Sequence, residues 1–229
     1  MIRDWLKGAF QSRRQAWSLE DPSPRLKEAP CTFFLPSDQW LNLLEVGDLV
    51  KLIFRPSAQR GKWEAEKMWV KLSENNGHTY VGSLANAPDD MPQIKAGDRV
   101  EFERKHIVDF RIANPERITK EQIKSLPAER REFWDRCFVD DCVIYSGVPV
   151  SCIYREEPDK KEPSEQFADS GWRILGDQSH PSYVADKTIY VALGLVLNKD
   201  NSWVALIDEP IGCEYQRDFS IDKYILVKN

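Results

Sequence analysis

No apolar run in this 229-residue chain approaches the roughly 20 residues that cross a bilayer as a helix, so a transmembrane protein is not expected. The opening Met1-Ile2-Arg3-Asp4-Trp5 has neither the apolar core nor the small-residue cleavage site of a secretory signal. Cysteine is scarce and odd in number: five, at positions 31, 137, 142, 152 and 213, with no Cys-x-x-Cys pair. That pattern fits reduced, mostly buried thiols better than a disulfide framework, and the expected location is cytoplasmic. The three histidines, His78, His106 and His180, stand far apart, none with a second His or Cys at ligand spacing. No metal and no cofactor is therefore expected, and no glycine-rich phosphate loop occurs.

What is present is ordinary folded protein, 41% apolar and 30% charged, in a length that suits one large domain or two small ones. Charge is uneven. Residues 1–113 carry 17 basic and 16 acidic side chains, and residues 114–137 carry 6 and 5. Residues 138–229 carry 9 and 16, so the whole acidic excess behind the net charge of −5 lies there. Such a surface repels nucleic acid and anionic membrane and attracts basic partners, although solubility alone accounts for it equally well.

The stretch 115–138 divides the chain. Thr119 and Gln122 have the spacing of a capping box, which predicts a short helix. Pro127 suits the first turn of a second helix, whose Leu126, Phe133, Trp134, Cys137 and Phe138 would share one face. The expected fold class is α+β: two β-rich antiparallel domains joined by a helical connector, the first a small barrel-like meander, the second a mixed sheet. The domains are set at 1–29 (amphipathic helix and linker), 30–113 (β domain), 114–137 (connector) and 138–229 (α+β domain).

Ile2, Trp5, Leu6, Ala9, Phe10 and Trp17 lie on one helical stripe, read as docking onto the folded body rather than on a membrane surface. Asp21-Pro22-Ser23-Pro24 reads as an extended linker. Strands are expected at 32–35, 49–54, 66–72, 79–84, 99–104 and 107–112, with a helical turn capped by Ser37. Glu66-Lys67-Met68-Trp69-Val70, residues 80–88 from Tyr80 to Pro88, Gly97-Asp98-Arg99-Val100 and Ile107-Val108-Asp109-Phe110 follow in order. Through these motifs residues 33–112 resemble the YegJ-like family of uncharacterised bacterial proteins. Phe110 stands where relatives often have Trp. The family carries no activity across, and its motif residues read as structural: Trp69 in the core, Asn86 and Asp109 capping loops.

After the connector, 142–145 and 148–154 read as a hairpin around Ser146-Gly147, followed by a polar loop at 156–168 without apolar anchors. Residues 188–197 read as strand or helix, and 202–207, 213–216 and 224–227 as strands. Val148-Pro149-Val150, Tyr154-Arg155-Glu156-Glu157-Pro158, Asp169-Ser170-Gly171-Trp172-Arg173, Gly176-Asp177 and Asp208-Glu209-Pro210-Ile211-Gly212 occur in sequence, ending at Arg217-Asp218. On these blocks residues 138–229 resemble a bacterial family proposed to contain immunity proteins of polymorphic-toxin systems. Where relatives usually carry Glu after the Gly-Asp, this chain has Gln178.

No catalytic arrangement emerges from the residues. Asp177, Ser179 and His180 are too close in sequence to face one another in triad order, and the adjacent carboxylates Asp140-Asp141 and Glu156-Glu157 read as solvated surface. Eight tryptophans are mostly core; Trp172 and Trp203 are read as core before interface. The resemblance implies a non-catalytic protein-binding protein whose acidic C-terminal domain neutralises a toxin. Its partner would be a protein, a basic toxin by charge, with no nucleic acid and no membrane. Candidate partner-binding residues are Glu156, Glu157, Asp159, Asp169, Trp172, Asp177, Asp208 and Glu209. The alternative is an enzyme or small-ligand binder using a cleft between the domains, with Asp177 and His180 as its polar groups.

Overall fold

The computed structural model describes residues 16–58, 62–127, 131–160, 165–185 and 187–228. The chain divides into two compact units, one formed by residues 1–26 and 34–128, the other by residues 27–33 and 129–229. The stretch 114–137 is thus shared between them. The expected N-terminal helix lies outside the described residues up to position 15; its last apolar residue, Trp17, instead opens a strand.

The first unit is a β-meander bent into a nearly closed antiparallel barrel. Its strands are β1 (Trp17–Leu19), β2 (Leu49–Pro56), β3 (Glu66–Asn75), β4 (Thr79–Leu84), β5 (Arg99–Glu103) and β6 (Asp109–Arg111). They pair in the order β1 to β5, and β6 joins β2 beside β1, so that β2 is hydrogen-bonded along both sides. Alternation decides what faces inward: Val50, Leu52 and Phe54 on β2, Met68, Val70 and Leu72 on β3, Tyr80 and Leu84 on β4, Val100 and Phe102 on β5. Helix α1 (Ser23–Glu28) begins in this unit and ends on residues assigned to the second, and α2 (Asp38–Leu41) lies within it; the Ser37 hydroxyl accepts from the Trp40 amide at the start of α2, as expected. Three expectations fail. Ser23 and Pro24, expected in an extended linker, begin α1. Residues 32–35 form no strand, and Trp69 is not core: it lies between the inward Met68 and Val70, opposite Lys51, so its indole faces out beneath the Lys51 ammonium and Arg111 guanidinium.

The capping box is present. Thr119 Oγ1 accepts from the Gln122 amide, Gln122 Oε1 accepts from the Thr119 amide, and α3 (Lys120–Ser125) follows. It stops at Leu126, whose extended backbone (φ −73°, ψ 149°) is what the following Pro127 favours. Among the described residues, 131–138 form no second connector helix. Cys137 and Val139 enter the core at period two, within strand β7 (Arg136–Asp140). The same apolar residues satisfied a helical period on paper; pairing on both sides of β7 decides for the strand.

The second unit is a mixed six-stranded sheet: β7, β8 (Val150–Arg155), β9 (Asp169–Gly176), β10 (Thr188–Ala192), β11 (Glu214–Asp218) and β12 (Lys223–Lys228). The order is β10-β7-β9-β8-β11-β12, with β7 and β9 parallel and all other pairs antiparallel. Helices α4 (Asp141–Tyr145) and α5 (Leu193–Leu197) and a 3₁₀ turn at Val204–Leu206 cover one face, burying Val143, Ile144, Val196, Leu197, Trp203 and Ile207 against Ile153, Trp172 and Ile174. Residues 142–145 are therefore helix, not the first arm of a hairpin, and 202–207 form no strand. The ambiguous run 188–197 is both, strand then helix.

Residues 27–33 belong here because they are sewn to α5. The Cys31 amide donates to Asn198 Oδ1 at 2.7 Å and Asn198 Nδ2 donates to Thr32 Oγ1 at 2.7 Å. A Cβ at Gly194 would come within 2.6 Å of the Cys31 carbonyl oxygen, so only glycine admits this approach. Among the described residues, no helix is long and apolar enough to cross a membrane.

Candidate partner-binding face

The Asp-Ser-Gly-Trp-Arg block forms the first half of β9, and its internal bonds explain each residue type. Gly171 has φ +81°, and a Cβ there would lie 2.2 Å from the Glu156 carbonyl oxygen. That close approach lets the Glu156 amide donate to Gly171 O and seals the end of β8 against β9. Ser170 Oγ donates to the Arg136 carbonyl and accepts from the Trp172 amide, locking the strand start to β7. Trp172 is fully buried; its Nε1 donates to Ile207 O at 3.2 Å and its ring meets Trp203 at 5.6 Å.

Asp169 and Arg173 form the centre of the opposite face. Arg173 Nη1 and Nη2 donate to the two Asp169 oxygens at 3.0 and 2.9 Å, Nε donates to Glu156, and Asp159 lies 3.7 Å away. The guanidinium sits 4.6 Å over the Phe138 ring, which in turn contacts Tyr190 at 4.8 Å. The Asp159 and Gly171 amides also donate to Asp169. Burial pushes the Asp169 carboxyl up, but the Arg173 hydrogen bonds, the two amides and the Arg173 charge outweigh it and hold the group below its ordinary value. Burial opposes charge on Arg173 too, yet Asp169 and Glu156 hold it more firmly protonated than a free arginine.

Of the candidate residues, Asp169 and Trp172 are buried and unavailable to a partner. The antiparallel pairing of β8 with β9 and β11 brings the others together at one end of the sheet, except one. Glu156, Glu157 and Asp159 leave the end of β8, while Asp208 and Glu209 lie on the loop leading to β11. Arg155 ties the two loops, donating to the Glu209 carbonyl at 2.7 Å and the Ser170 carbonyl at 3.0 Å. Asp208 is exposed and takes a bidentate pair from Arg131 at 2.6 and 2.7 Å; those bonds hold its carboxyl below the ordinary value. Asp177 is at the far end of β9, about 26 Å away at 3.3 Å per residue. There its Oδ1 accepts from the Ser179 amide and hydroxyl, while His180 Nδ1 accepts from the Ser182 amide. These are turn contacts, and no Asp–His–Ser relay is formed.

Two further expectations change, and one residue is added. Asp140 is buried, not solvated: Gly176 N donates to its Oδ2 at 2.9 Å, and burial pushes its carboxyl up. The 156–168 loop has an apolar anchor, Phe167, which stacks on Trp134 at 5.8 Å. Arg173, the organiser of the face, is not among the candidate residues; its four-residue spacing from Asp169 on one strand is the signal the sequence holds for it. Among the described residues, no three His, Cys, Asp or Glu side chains are grouped to hold a metal ion.

No curated protein and no solved structure matches the chain. Two family descriptions do, each to one part of it, and each takes in most of the motifs quoted for that part. Residues 42–121 match the family described as an uncharacterized protein conserved in bacteria, DUF2314, and residues 137–225, which include Asp169, Arg173 and all the candidate carboxylates, match the Imm33 immunity protein domain.

Proposed function

We propose that the chain is an immunity-type binding protein, and that its second unit neutralises a basic toxin by covering the toxin's working surface with the acidic end of the mixed sheet. The observation that carries this is the Imm33 match over residues 137–225, which supports an immunity-type role. The convergence of Glu156, Glu157, Asp159, Asp208 and Glu209 at one sheet end gives that role a surface of the right sign. No bond-making chemistry is needed, since binding alone occludes a toxin. The buried Asp169–Arg173 pair is the scaffold of the surface and Trp172 its backing, so neither contacts the partner.

Opposite charges accelerate encounter, and salt removes the advantage because charges beyond about 8 Å are screened at physiological ionic strength. The test uses the full chain and the product of the adjacent reading frame. Glu157→Gln, Asp159→Asn and Asp208→Asn together are expected to slow association several-fold at low salt, with wild type and variant converging at high salt. Glu156 is left in place because it also holds Arg173. An association rate flat in salt, or unaffected by the triple substitution, refutes the acidic-end reading.

A further inference from the structure

Register across the barrel sets two rows of outward side chains next to each other. The first runs Arg111, Leu49, Lys71, Ser83 and Arg99, one residue from each of β6, β2, β3, β4 and β5. The second runs Asp109, Lys51 and Trp69. Both rows point away from the core because their neighbours along the strands, Val50, Val70, Leu84, Val100 and Phe110, pack into it. With strands about 4.8 Å apart, the three cations of the first row stand roughly 10 Å from one another. No carboxylate interrupts that row. The one in the second row, Asp109, takes the Lys51 ammonium at 3.0 Å. Arg99 lies 3.2 Å from Glu101, a surface pair that holds little energy and is readily given up. Arg111 is exposed, its guanidinium rests 4.6 Å from the centre of the Trp69 ring, and among the described residues it has no hydrogen-bond or ion-pair partner. Lys71 is likewise exposed and without an ion pair among the described residues.

We propose that this outer face of the barrel binds single-stranded nucleic acid, with phosphates on the cations of the first row and a base over the Trp69–Arg111 stack. The face combines the two features such binding uses, a positive track for the backbone and a flat π-surface for a base. The platform is set before any ligand arrives: the Trp69 amide donates to Asn86 Oδ1 at 2.7 Å, and the ring is half-buried. An acidic protein would match the charge, but a protein contact is built on an apolar centre. The two rows offer only Leu49 and Trp69 for one, and both are already half-buried. Nucleic-acid contacts are instead polar and strongly positive, which is what the rows supply. The acidic excess that repels nucleic acid belongs to residues 138–229; residues 1–113 carry 17 basic and 16 acidic side chains. Phosphate and base are common to RNA and DNA strands, so the contacts fit either source.

The test is fluorescence anisotropy of a labelled oligouridylate and a labelled oligodeoxythymidylate, each of about 16 nucleotides, titrated with the full chain. Binding of either at low salt is expected, and the tighter of the two names the source. Three phosphate contacts give a log–log salt slope of about −2, which is roughly 15-fold weaker binding at 200 than at 50 mM salt. Arg111→Gln with Lys71→Gln should weaken binding at least about fivefold and bring the slope to about −0.7. Both side chains are exposed, so the unfolding midpoint of that double variant should be unchanged. Trp69→Leu should weaken binding by about fivefold or more through the lost stack, and a duplex of the same length should bind less tightly than the strand. No binding at low salt, or a slope unmoved by the double substitution, overturns the proposal. So does polyglutamate that displaces the strand as well as an equal charge of unlabelled oligonucleotide, since the face would then be reading charge alone.

Discussion

Replacing Arg173 by methionine removes the cation and keeps most of the side chain's length, which isolates the electrostatic part of the Asp169–Arg173 pair. The Asp169 carboxylate is 1% exposed and the Arg173 side chain 8%, so solvent screens the pair little. Losing one partner of a buried pair strands the other without compensation, at a cost of about 3–5 kcal/mol. With a urea slope on the order of 1.5 kcal/mol/M, the midpoint of the second unit should fall by roughly 2–3 M at pH 7. Tryptophan fluorescence reads that unit through Trp172 and Trp203, both fully buried.

The pH dependence separates this from a packing defect. In the wild type the Asp169 carboxyl titrates below its ordinary value. Its contribution is therefore complete above the unfolded value, about 3.9, and is lost only as pH falls through the lower folded value. Without Arg173 the dominant remaining influence is burial, which pushes the carboxyl up. The folded state then binds a proton more readily than the unfolded one, so the variant gains stability as the solution is acidified from pH 7 to pH 5. The deficit against wild type should shrink over that window, and adding Asp169→Asn should recover much of it at pH 7. A cost under about 1 kcal/mol, or a deficit constant in pH, would refute the reasoning.

Gly171→Ala should cost more than about 1 kcal/mol in urea unfolding, because the added Cβ meets the Glu156 carbonyl and the positive φ disfavours any side chain. Trp172→Phe, which deletes the bond to Ile207 O and opens a cavity, should lower the unfolding free energy by about 2 kcal/mol while leaving partner dissociation unchanged; faster dissociation without destabilisation would make Trp172 an anchor. Cys137, fully buried with its thiol pushed up to about 12, should resist a thiol-labelling reagent at pH 8 until the chain unfolds; labelling in the native state would contradict that burial. Thermal unfolding should be indifferent to a strong chelator, and a large drop in midpoint would expose a ligand cluster.

The barrel was legible because its strands are short, alternate cleanly and are separated by turn residues; the 79–84 expectation coincides with β4, residue for residue. Where the reading failed, two periods competed within too few residues. Leu126, Phe133, Trp134, Cys137 and Phe138 satisfy a helical stripe, but Pro127 forces Leu126 extended and β9 and β10 claim Cys137 and Val139 as strand. Residues 142–145 failed in the reverse sense: Cys-Val-Ile-Tyr has strand propensity, yet burial against the sheet selects a helical turn, since propensity is a weak preference that tertiary packing overrides. Trp69 illustrates a third limit. Size suggested core, but the pleat alternates strictly, and Met68 and Val70 already hold the inward positions.

The site was half legible for a related reason. A charge count finds carboxylates, but it cannot tell a carboxylate facing solvent from one held by an arginine. Asp169 entered the acidic excess as a candidate contact, whereas Arg173 takes both its oxygens inside the fold. Its charge is spent on holding the ends of β8 and β9 together and contributes little to the field outside. Glu157 and Asp159 remain exposed, and Asp208 is exposed but shares its charge with Arg131, so the field outside the fold is set by fewer groups than the count of 16 acidic residues implies. They are clustered, however, because one glycine lets β8 and β9 close at that end and Arg155 gathers the loop before β11 against them. The family blocks in this region therefore specify the frame, and in the proposed function the loops that the frame brings together are the contact surface. A relative with the same Asp-Ser-Gly-Trp-Arg block but different loop residues at 157, 159 and 208 should fold alike and bind a different partner. Grafting such loops onto this chain would exchange partner preference without shifting the urea midpoint, and a graft that unfolds the unit would show that the loops belong to the frame.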